Sequence, residues 1–177
     1  MEVKILPSKL YHYSKEEIKE LRQDFHEPQI DAWGFCMKPY GLWVSVEDYE
    51  DDVNWKQWSL SEEFRLEHLK YRYSVNIVKK SNILFLNSSE ELTIFSLEYE
   101  SPQVNHKYEY LKYIYSIDWE RVMTEYDGII IAPYIWSCRL DNPATSWYYG
   151  WDCASGCIWN IDAIEIKECQ EEENAKD

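Results

Sequence analysis

One stretch near the end of the chain constrains the fold most, because it concentrates aromatic rings without a regular period. It spans residues 147–160 and reads W-Y-Y-G-W-D-C-A-S-G-C-I-W-N. Neither a helical nor an alternating strand pattern by itself requires such a run. Rings of this kind can fill the core of a small β-rich domain, since aromatic side chains bring large, rigid surface. The polar Asp152, Ser155 and Asn160 among them favour the wall of a binding pocket instead.

Charge limits the classes of partner. The chain has 177 residues with 18 Lys+Arg against 33 Asp+Glu, a formal net charge of -15. Nucleic acids and anionic membrane surfaces repel such a protein, so direct nucleic-acid binding and a membrane partner are both disfavoured, and a DNA mimic is a weak alternative. No apolar leader, membrane-length apolar run or framework-like cysteine spacing is visible. We expect a cytoplasmic protein with reduced thiols.

The length predicts one domain rather than several. No internal repeat or low-complexity linker divides the chain. We therefore predict a single domain over residues 1–167 and an acidic, disordered tail over residues 168–177.

The apolar pattern predicts an α+β order of elements. A strand around His12 is followed by a helix that Ser14 caps and that carries Ile18, Leu21 and Phe25. Further strands are predicted over residues 42–46, 71–78, 82–87, 129–131, 157–161 and 163–167, with a hairpin between the second and third of these. Further helices are predicted over residues 59–70, from Ser88 and from Asp118, and residues 98–116 receive no assignment.

Common catalytic motifs are missing from the sequence. It contains no phosphate-binding Walker loop, no dinucleotide glycine fingerprint, no nucleophile elbow and no zinc-protease motif. Cys138, Cys153 and Cys157 give a weak zinc signal, since zinc sites use tighter Cys or His pairs, and reduced core thiols are favoured over a metal site. A cysteine nucleophile needs a histidine base, and the sequence does not pair the two.

What remains is a constellation of polar residues on predicted strands. His12 stands at a strand end, Ser45 follows a Pro-Gly turn, and Asp152 with Ser155 precedes a late strand. The segments L-Y-H-Y-S and K-P-Y-G-L-W-V-S come first, and E-Y-D-G-I-I-I and S-G-C-I-W-N-I-D-A-I follow downstream. Their order, from Leu10 to about Ile166, resembles that of the ADP-ribosyltransferase superfamily.

The resemblance implies a fold of small, twisted, mostly antiparallel sheets that form a cleft for NAD, flanked by short helices. In that cleft His12 would hydrogen-bond a ribose hydroxyl, and Ser45 would support the nicotinamide ribose or the catalytic acid. The aromatic candidates for contact with NAD are Tyr13, Tyr40, Trp43, Tyr73 and Trp151, of which Tyr40, Trp43 or Tyr73 would stack on nicotinamide.

The catalytic acid departs from the pattern of the superfamily. Tyr13 stands where many relatives have Gly, and no E-x-E occurs near the expected catalytic strand. Ser155 stands close to the place of the usual Glu, which leaves Asp152, Asp127 or Glu165 to supply a carboxylate. Transfer from NAD needs such a carboxylate to stabilise an oxocarbenium-like transition state. Asp152 among the rings is the best candidate, because Asp127 in an Asp-Gly pair is more often a turn residue.

Two functions follow from the sequence. The first is an NAD-binding ADP-ribosyltransferase-like protein that transfers ADP-ribose to a protein, nucleic acid or small acceptor. The second is a catalytically inactive acidic binding protein on the same fold, such as an inhibitor or DNA mimic. The missing Glu favours the second function, whereas His12 and Ser45 favour the first.

Overall fold

The computed structural model describes residues 4–23, 29–30, 36–101 and 116–169, with backbone only for residues 29–30 and 36–37. The strands are β1 Leu10–Ser14, β2 Gln29–Ile30, β3 Cys36–Lys38, β4 Leu42–Val46, β5 Tyr71–Ile77, β6 Ile83–Leu86, β7 Gly128–Ile131, β8 Ser155–Ile158 and β9 Ile164–Glu168. The α-helices are α1 Trp55–Ser61, α2 Ser89–Glu98 and α3 Trp119–Glu125. Short 3₁₀ segments occupy Leu66–Leu69, Trp136–Cys138, Pro143–Gly150 and Ile161–Ala163. The predicted α+β class is confirmed.

Seven strands form one curled, mixed sheet in the order β6-β7-β8-β4-β1-β5-β9, and β2 and β3 form a separate pair. Every neighbouring pair in the large sheet is antiparallel except β6 and β7. The predicted antiparallel preference is therefore correct, but one continuous sheet stands where small separate sheets were expected.

The contact between β1 and β4, which we call the seam, is the shortest strand pairing of this sheet. These strands pair at two positions, Leu10 with Val46 and Tyr11 with Ser45, whereas β4 and β8 pair at four. Beyond the second pair a side chain replaces the ladder, since His12 Nδ1 lies 2.7 Å from the Trp43 carbonyl oxygen. A carbonyl can only accept, so Nδ1 is the donor. Residues of both strands at this seam line a cavity.

Part of the aromatic stretch is core rather than pocket. Trp147 is 1% exposed and packs edge-on against Trp119 and Trp151, with ring centroids 5.5 and 6.2 Å away. Its indole Nε1 donates to Ser96 Oγ at 2.8 Å, and that hydroxyl donates to the Leu92 carbonyl at 2.7 Å. The indole is thus buried with its polar group satisfied, as stable cores require.

The predicted helix starts at Ser88 and Asp118 are confirmed. Ser88 Oγ accepts from the Glu91 amide at 3.3 Å at the start of α2, and Asp118 Oδ1 accepts from the Arg121 amide at 3.0 Å at the start of α3. Each cap satisfies a backbone donor that the first helical turn leaves unpaired.

The helix predicted from Ser14 is wrong over the residues described. Residues 15–23 contain no helix. Ser14 Oγ accepts from the Glu16 amide at 3.3 Å and donates to the Glu16 carbonyl at 2.6 Å, so it closes a turn two residues on instead of capping a helix. The Ile18 amide donates to the Tyr73 hydroxyl at 2.8 Å, which ties this segment to β5. Phe25 lies outside the described residues.

The helix predicted over residues 59–70 is displaced and interrupted. It begins earlier, at Trp55, because Asn54 forms a capping box with Gln57, and it ends at Ser61. Glu63 and Arg65 then adopt positive φ values of 52° and 47°, which a helix cannot contain.

The hairpin predicted between β5 and β6 is also wrong. β5 pairs with β1 and β9, while β6 pairs with β7 in parallel near the other edge of the sheet. The last strand extends to Glu168, the first residue of the predicted tail, and residues 170–177 lie outside the described residues, as do residues 102–115 of the unassigned segment. No helix within the described ranges is long and apolar enough to cross a bilayer.

Candidate functional site

A cavity of about 430 Å³ opens at the seam between β1 and β4. Ligand pockets commonly span roughly 300–1,000 Å³, so its size suits a small molecule. Its lining is Tyr11, His12, Tyr13, Lys38, Trp43, Val44, Ser45, Trp55, Trp58, Phe64, Arg65, His68, Trp151, Asp152, Cys153 and Ser155. Three predicted site residues that are far apart in sequence, His12, Ser45 and Asp152, are therefore brought together as the sequence predicted.

The floor of the cavity is one face of the sheet. Alternate residues of a strand share a face, and the register of β1, β4 and β8 places a set of cavity-lining residues on the same side. This set consists of Tyr11, Tyr13, Trp43, Ser45 and Ser155. The predicted Trp43, Tyr13 and Ser155 thus belong to the floor.

The roof comes from α1 and the 3₁₀ segment that follows it. Trp55 stacks on Trp58 with ring centroids 5.4 Å apart, and Phe64 meets their edges at 6.2 and 5.3 Å. Ser45 Oγ accepts from the Trp55 amide at 3.1 Å, so the serine joins floor to roof. This hydrogen bond gives Ser45 a structural task beside any contact with a ligand.

His12 is a buried, neutral hydrogen-bonding group. It is 7% exposed, and burial lowers the pKa of its imidazole despite the bond to the Trp43 carbonyl, with the nearby His68 lowering it further. The charged form is therefore disfavoured at neutral pH. His12 is suited to orient a polar ligand group rather than to supply a fixed charge.

Asp152 forms one end of the cavity. Its Oδ1 lies 3.2 Å from an Arg139 guanidinium nitrogen, and the two side chains are 25% and 23% exposed. The neighbouring Trp151 is 1% exposed and meets the Trp43 ring edge-on at 4.9 Å. The predicted carboxylate is thus placed beside aromatic rings and held by one arginine.

Three basic side chains, Lys38, Arg65 and His68, also line the cavity. The Lys38 ammonium lies 5.2 Å from the centre of the Trp43 ring, and Arg65 and His68 belong to the roof. Burial lowers the pKa of Lys38, and the negative charge of Asp152 opposes that shift. Lys38 and Arg65 thus place two basic side chains in the cavity of a chain whose net charge is -15.

The hydroxyl of Tyr13 is engaged away from the cavity. It donates to Glu47 Oε1 at 2.8 Å, and Glu47 Oε2 accepts from Arg72 at 2.8 Å. Burial and the bond to Glu47 raise the pKa of Tyr13, so the phenol stays protonated. Tyr13 therefore offers its ring to the cavity.

Neither Ser155 nor Cys153 shows the arrangement of an activated nucleophile. Ser155 Oγ donates to the Cys153 carbonyl at 2.9 Å, within its own loop. Burial raises the pKa of the Cys153 thiol to about 12, so the reactive thiolate is scarce at neutral pH.

Asp127, predicted as an alternative catalytic carboxylate, lies elsewhere and does not line the cavity. Its two carboxylate oxygens accept from the Asn82 amide and from Asn160 Nδ2, each at 2.7 Å. Its carbonyl accepts from the amides of Trp159 and Asn160, each at 3.1 Å. Asp127 is a structural residue that joins the turn before β6 to the end of β8.

Three further candidates also lie outside the cavity lining. Tyr40 is 38% exposed. Tyr73 is buried, and its hydroxyl is occupied by the Ile18 amide. Glu165 is an exposed residue of β9 that pairs with Asn76. The structure does not bring these three residues together with His12, Ser45 and Asp152.

The sequence missed most of the roof and the cations. Trp55 and Trp58 are three residues apart, a spacing that places both on one side of a helical turn but does not by itself indicate a site. Lys38, Arg65 and His68 carry no motif. The one usable signal was the position of Lys38 directly before the Pro39 turn that feeds β4.

No group of three or more His, Cys, Asp or Glu side chains in the described ranges could hold a metal ion. Comparison of the chain with protein-family models, curated proteins and solved structures finds no match. Similarity therefore supplies no function, and a function has to be inferred from the cavity.

Proposed function

We propose that the chain binds NAD in the cavity at the seam and transfers ADP-ribose to an acceptor. The observation that carries this proposal is the meeting of His12, Ser45 and Asp152 in one aromatic cavity. Their order along the chain resembles that of the ADP-ribosyltransferase superfamily, and their convergence is what that resemblance requires.

The lining matches the chemical parts of NAD. Trp43 and Trp58 line the cavity and supply aromatic surface for its planar bases. Lys38 and Arg65 offer charge to its phosphate oxygens, since both side chains form strong charge-assisted hydrogen bonds with phosphate. The neutral His12 suits a ribose hydroxyl, which can donate or accept.

Asp152 is assigned the electrostatic role in the transfer. The bond between the ribose C1′ and the nicotinamide nitrogen breaks with both electrons going to nicotinamide, which leaves as a neutral molecule. Positive charge then grows on the ribose, and a carboxylate fixed nearby stabilises it. The acceptor forms the new bond to C1′ and gives up its proton. Arg139 holds Asp152 Oδ1 in place beside the rings.

A second candidate uses the same cavity without catalysis. Two observations favour it: Asp152 is already paired with Arg139, and Ser155, near the place of the usual Glu, donates to its own loop. In this case the protein binds NAD or a related anionic ligand and releases no nicotinamide.

Calorimetric titration with NAD, checked by tryptophan fluorescence, tests the binding step. Four of the nine tryptophans line the cavity, so NAD should quench the emission saturably. Lys38→Met should weaken binding about 10-fold, as expected for loss of one charge-assisted contact. Lys70→Met, on an exposed lysine outside the lining, should leave the affinity unchanged.

A flat titration of folded protein at millimolar NAD would refute the first candidate and leave the second only with a ligand other than NAD. Binding without nicotinamide release, with every class of acceptor tried, would select the second candidate over the first.

A further inference from the structure

Three exposed side chains, two aromatic and one aliphatic, lie in the segment between β7 and β8 that also contains Arg139, the partner of Asp152. Trp136, Leu140 and Tyr149 are 59%, 75% and 58% exposed. The Arg139 guanidinium lies 5.2 Å from the centre of the Tyr149 ring, and its amide donates to the Trp136 carbonyl at 3.1 Å. We name these four residues the Arg139 patch.

The patch stands on an ordered support. Tyr134 meets the Trp136 ring edge-on at 4.8 Å, and its hydroxyl donates to the Trp151 carbonyl at 2.5 Å. Arg139 is held by its ion pair with Asp152. Side chains held in this way lose little conformational entropy on binding, which favours association.

The composition of the patch is that of a protein interface. Trp, Tyr and Arg are the residue types that most often dominate binding energy between proteins. Ile94 and Leu97 on α2 are similarly exposed, at 56% and 55%, but both are aliphatic. Isolated exposed aliphatic residues are ordinary on protein surfaces, whereas two exposed aromatic rings in one segment, one of them beside an arginine side chain, are less so.

The charge around the patch indicates its partner. Asp141 is exposed next to Leu140, and Asp52 Oδ2 accepts from the Tyr134 amide at 2.6 Å. The patch's own cation is compensated by Asp152, and the whole chain carries a net charge of -15. We propose that the Arg139 patch is a docking surface for a basic segment of another protein that places an apolar side chain against Trp136. This proposal does not depend on NAD binding.

The test is a titration of ¹⁵N-labelled protein with a short lysine-rich peptide that carries a central leucine, at physiological salt. Among the tryptophan indole signals, that of Trp136 should shift most. Trp136→Ala and Tyr149→Ala should each weaken peptide binding about 10-fold. Ile94→Ala and Leu97→Ala are matched controls and should stay within about twofold, since such surface contacts contribute little energy.

Three results would overturn the proposal. One is equal binding of a peptide whose leucine is replaced by serine, which indicates diffuse attraction to acidic surface. The second is unchanged peptide binding by both patch variants, each shown to be folded by circular dichroism. The third is a concentration-dependent dimer that Trp136→Ala abolishes, which assigns the patch to a second copy of this chain. Trp136→Ala should bind NAD as wild type does, so the two proposals fail separately.

Discussion

Asp127 and Asp152 lie near opposite ends of the paired strands β7 and β8, and their surroundings differ sharply. Asp127 directly precedes Gly128, which pairs with Ile158, whereas Asp152 lies shortly before Ser155, which pairs with Ile131. Asp127 accepts from a backbone amide and a side-chain amide, while Asp152 lines the cavity and contacts Arg139. The Asp127 carboxylate links two elements of the fold, whereas the Asp152 carboxylate lies in the cavity, where a ligand can reach it.

The difference teaches that the partner decides the role of a carboxylate. A backbone amide fixed between two elements cannot leave Asp127 without cost, because Asp127 accepts from it at 2.7 Å and also accepts from Asn160 at 2.7 Å. Asp152 instead accepts from one side chain, and partly exposed ion pairs of this kind contribute little to stability. The free energy of folding should therefore depend on Asp127, and the reaction should depend on Asp152.

The largest expected effect concerns the reaction. Asp152→Asn retains shape and hydrogen bonding but removes the charge that stabilises the ribose cation. Nicotinamide release should fall on the order of 100-fold or more, while NAD binding survives. Release measured by chromatography, with affinity measured by calorimetry, checks both halves of this expectation.

Asp127→Asn is the matched control for that experiment. Its turnover at a temperature where it is folded should equal that of wild type. If Asp127→Asn loses turnover and Asp152→Asn does not, the roles assigned to the two carboxylates are wrong.

A smaller effect is expected on the free energy of unfolding, and here Asp127 should matter more than Asp152. Asp127→Ala should lower the free energy of unfolding by about 2 kcal/mol, since it leaves the Asn82 and Asn160 donors without their acceptor. Asp152→Ala should cost less than about 1 kcal/mol, as expected for a partly exposed ion pair. Urea denaturation of both variants decides the point, and equal losses would contradict it.

Local signals predicted those parts of the fold whose hydrogen bonds are local. The caps at Ser88 and Asp118 and the apolar run Ile129–Ile131 needed only their neighbours in sequence. Ser14 carried a similar signal and failed, because its hydroxyl bonds to Glu16 and the segment after it is anchored to β5. Local and long-range contacts compete, and the sequence alone does not show which of them determines the structure of such a segment.

The candidate site likewise contains residues that could be predicted from the sequence and residues that could not. The convergence of His12, Ser45 and Asp152 was expected only through the resemblance of their order along the chain to the ADP-ribosyltransferase superfamily. The roof was not predictable, because it depends on a chain reversal at Glu63 and Arg65, residue types that rarely adopt positive φ and carry no turn signal. Arg139 was missed as the partner of Asp152 because its position depends on how a 3₁₀ segment packs.

The smallest expected effect is the contribution of His12 to the pH dependence of stability. His12 bridges the seam, and burial lowers the pKa of its imidazole below the ordinary value of 6.5. Below that pH the unfolded chain binds a proton that the folded chain does not. Stability should therefore fall as the pH drops from about 6.5 toward the folded pKa, by at most about 1.4 kcal/mol per pH unit.

His12→Gln separates this contribution from general acid denaturation, because glutamine retains a donor for the Trp43 carbonyl and does not titrate. Its unfolding free energy, measured by urea denaturation at several pH values, should vary less below pH 6.5 than that of wild type. His68→Gln replaces the partly exposed histidine of the roof and should largely keep the wild-type dependence. If His12→Gln and wild type lose stability in parallel, His12 titrates alike in both states. Protonation of His12 then does not affect the free energy of unfolding, and this prediction fails.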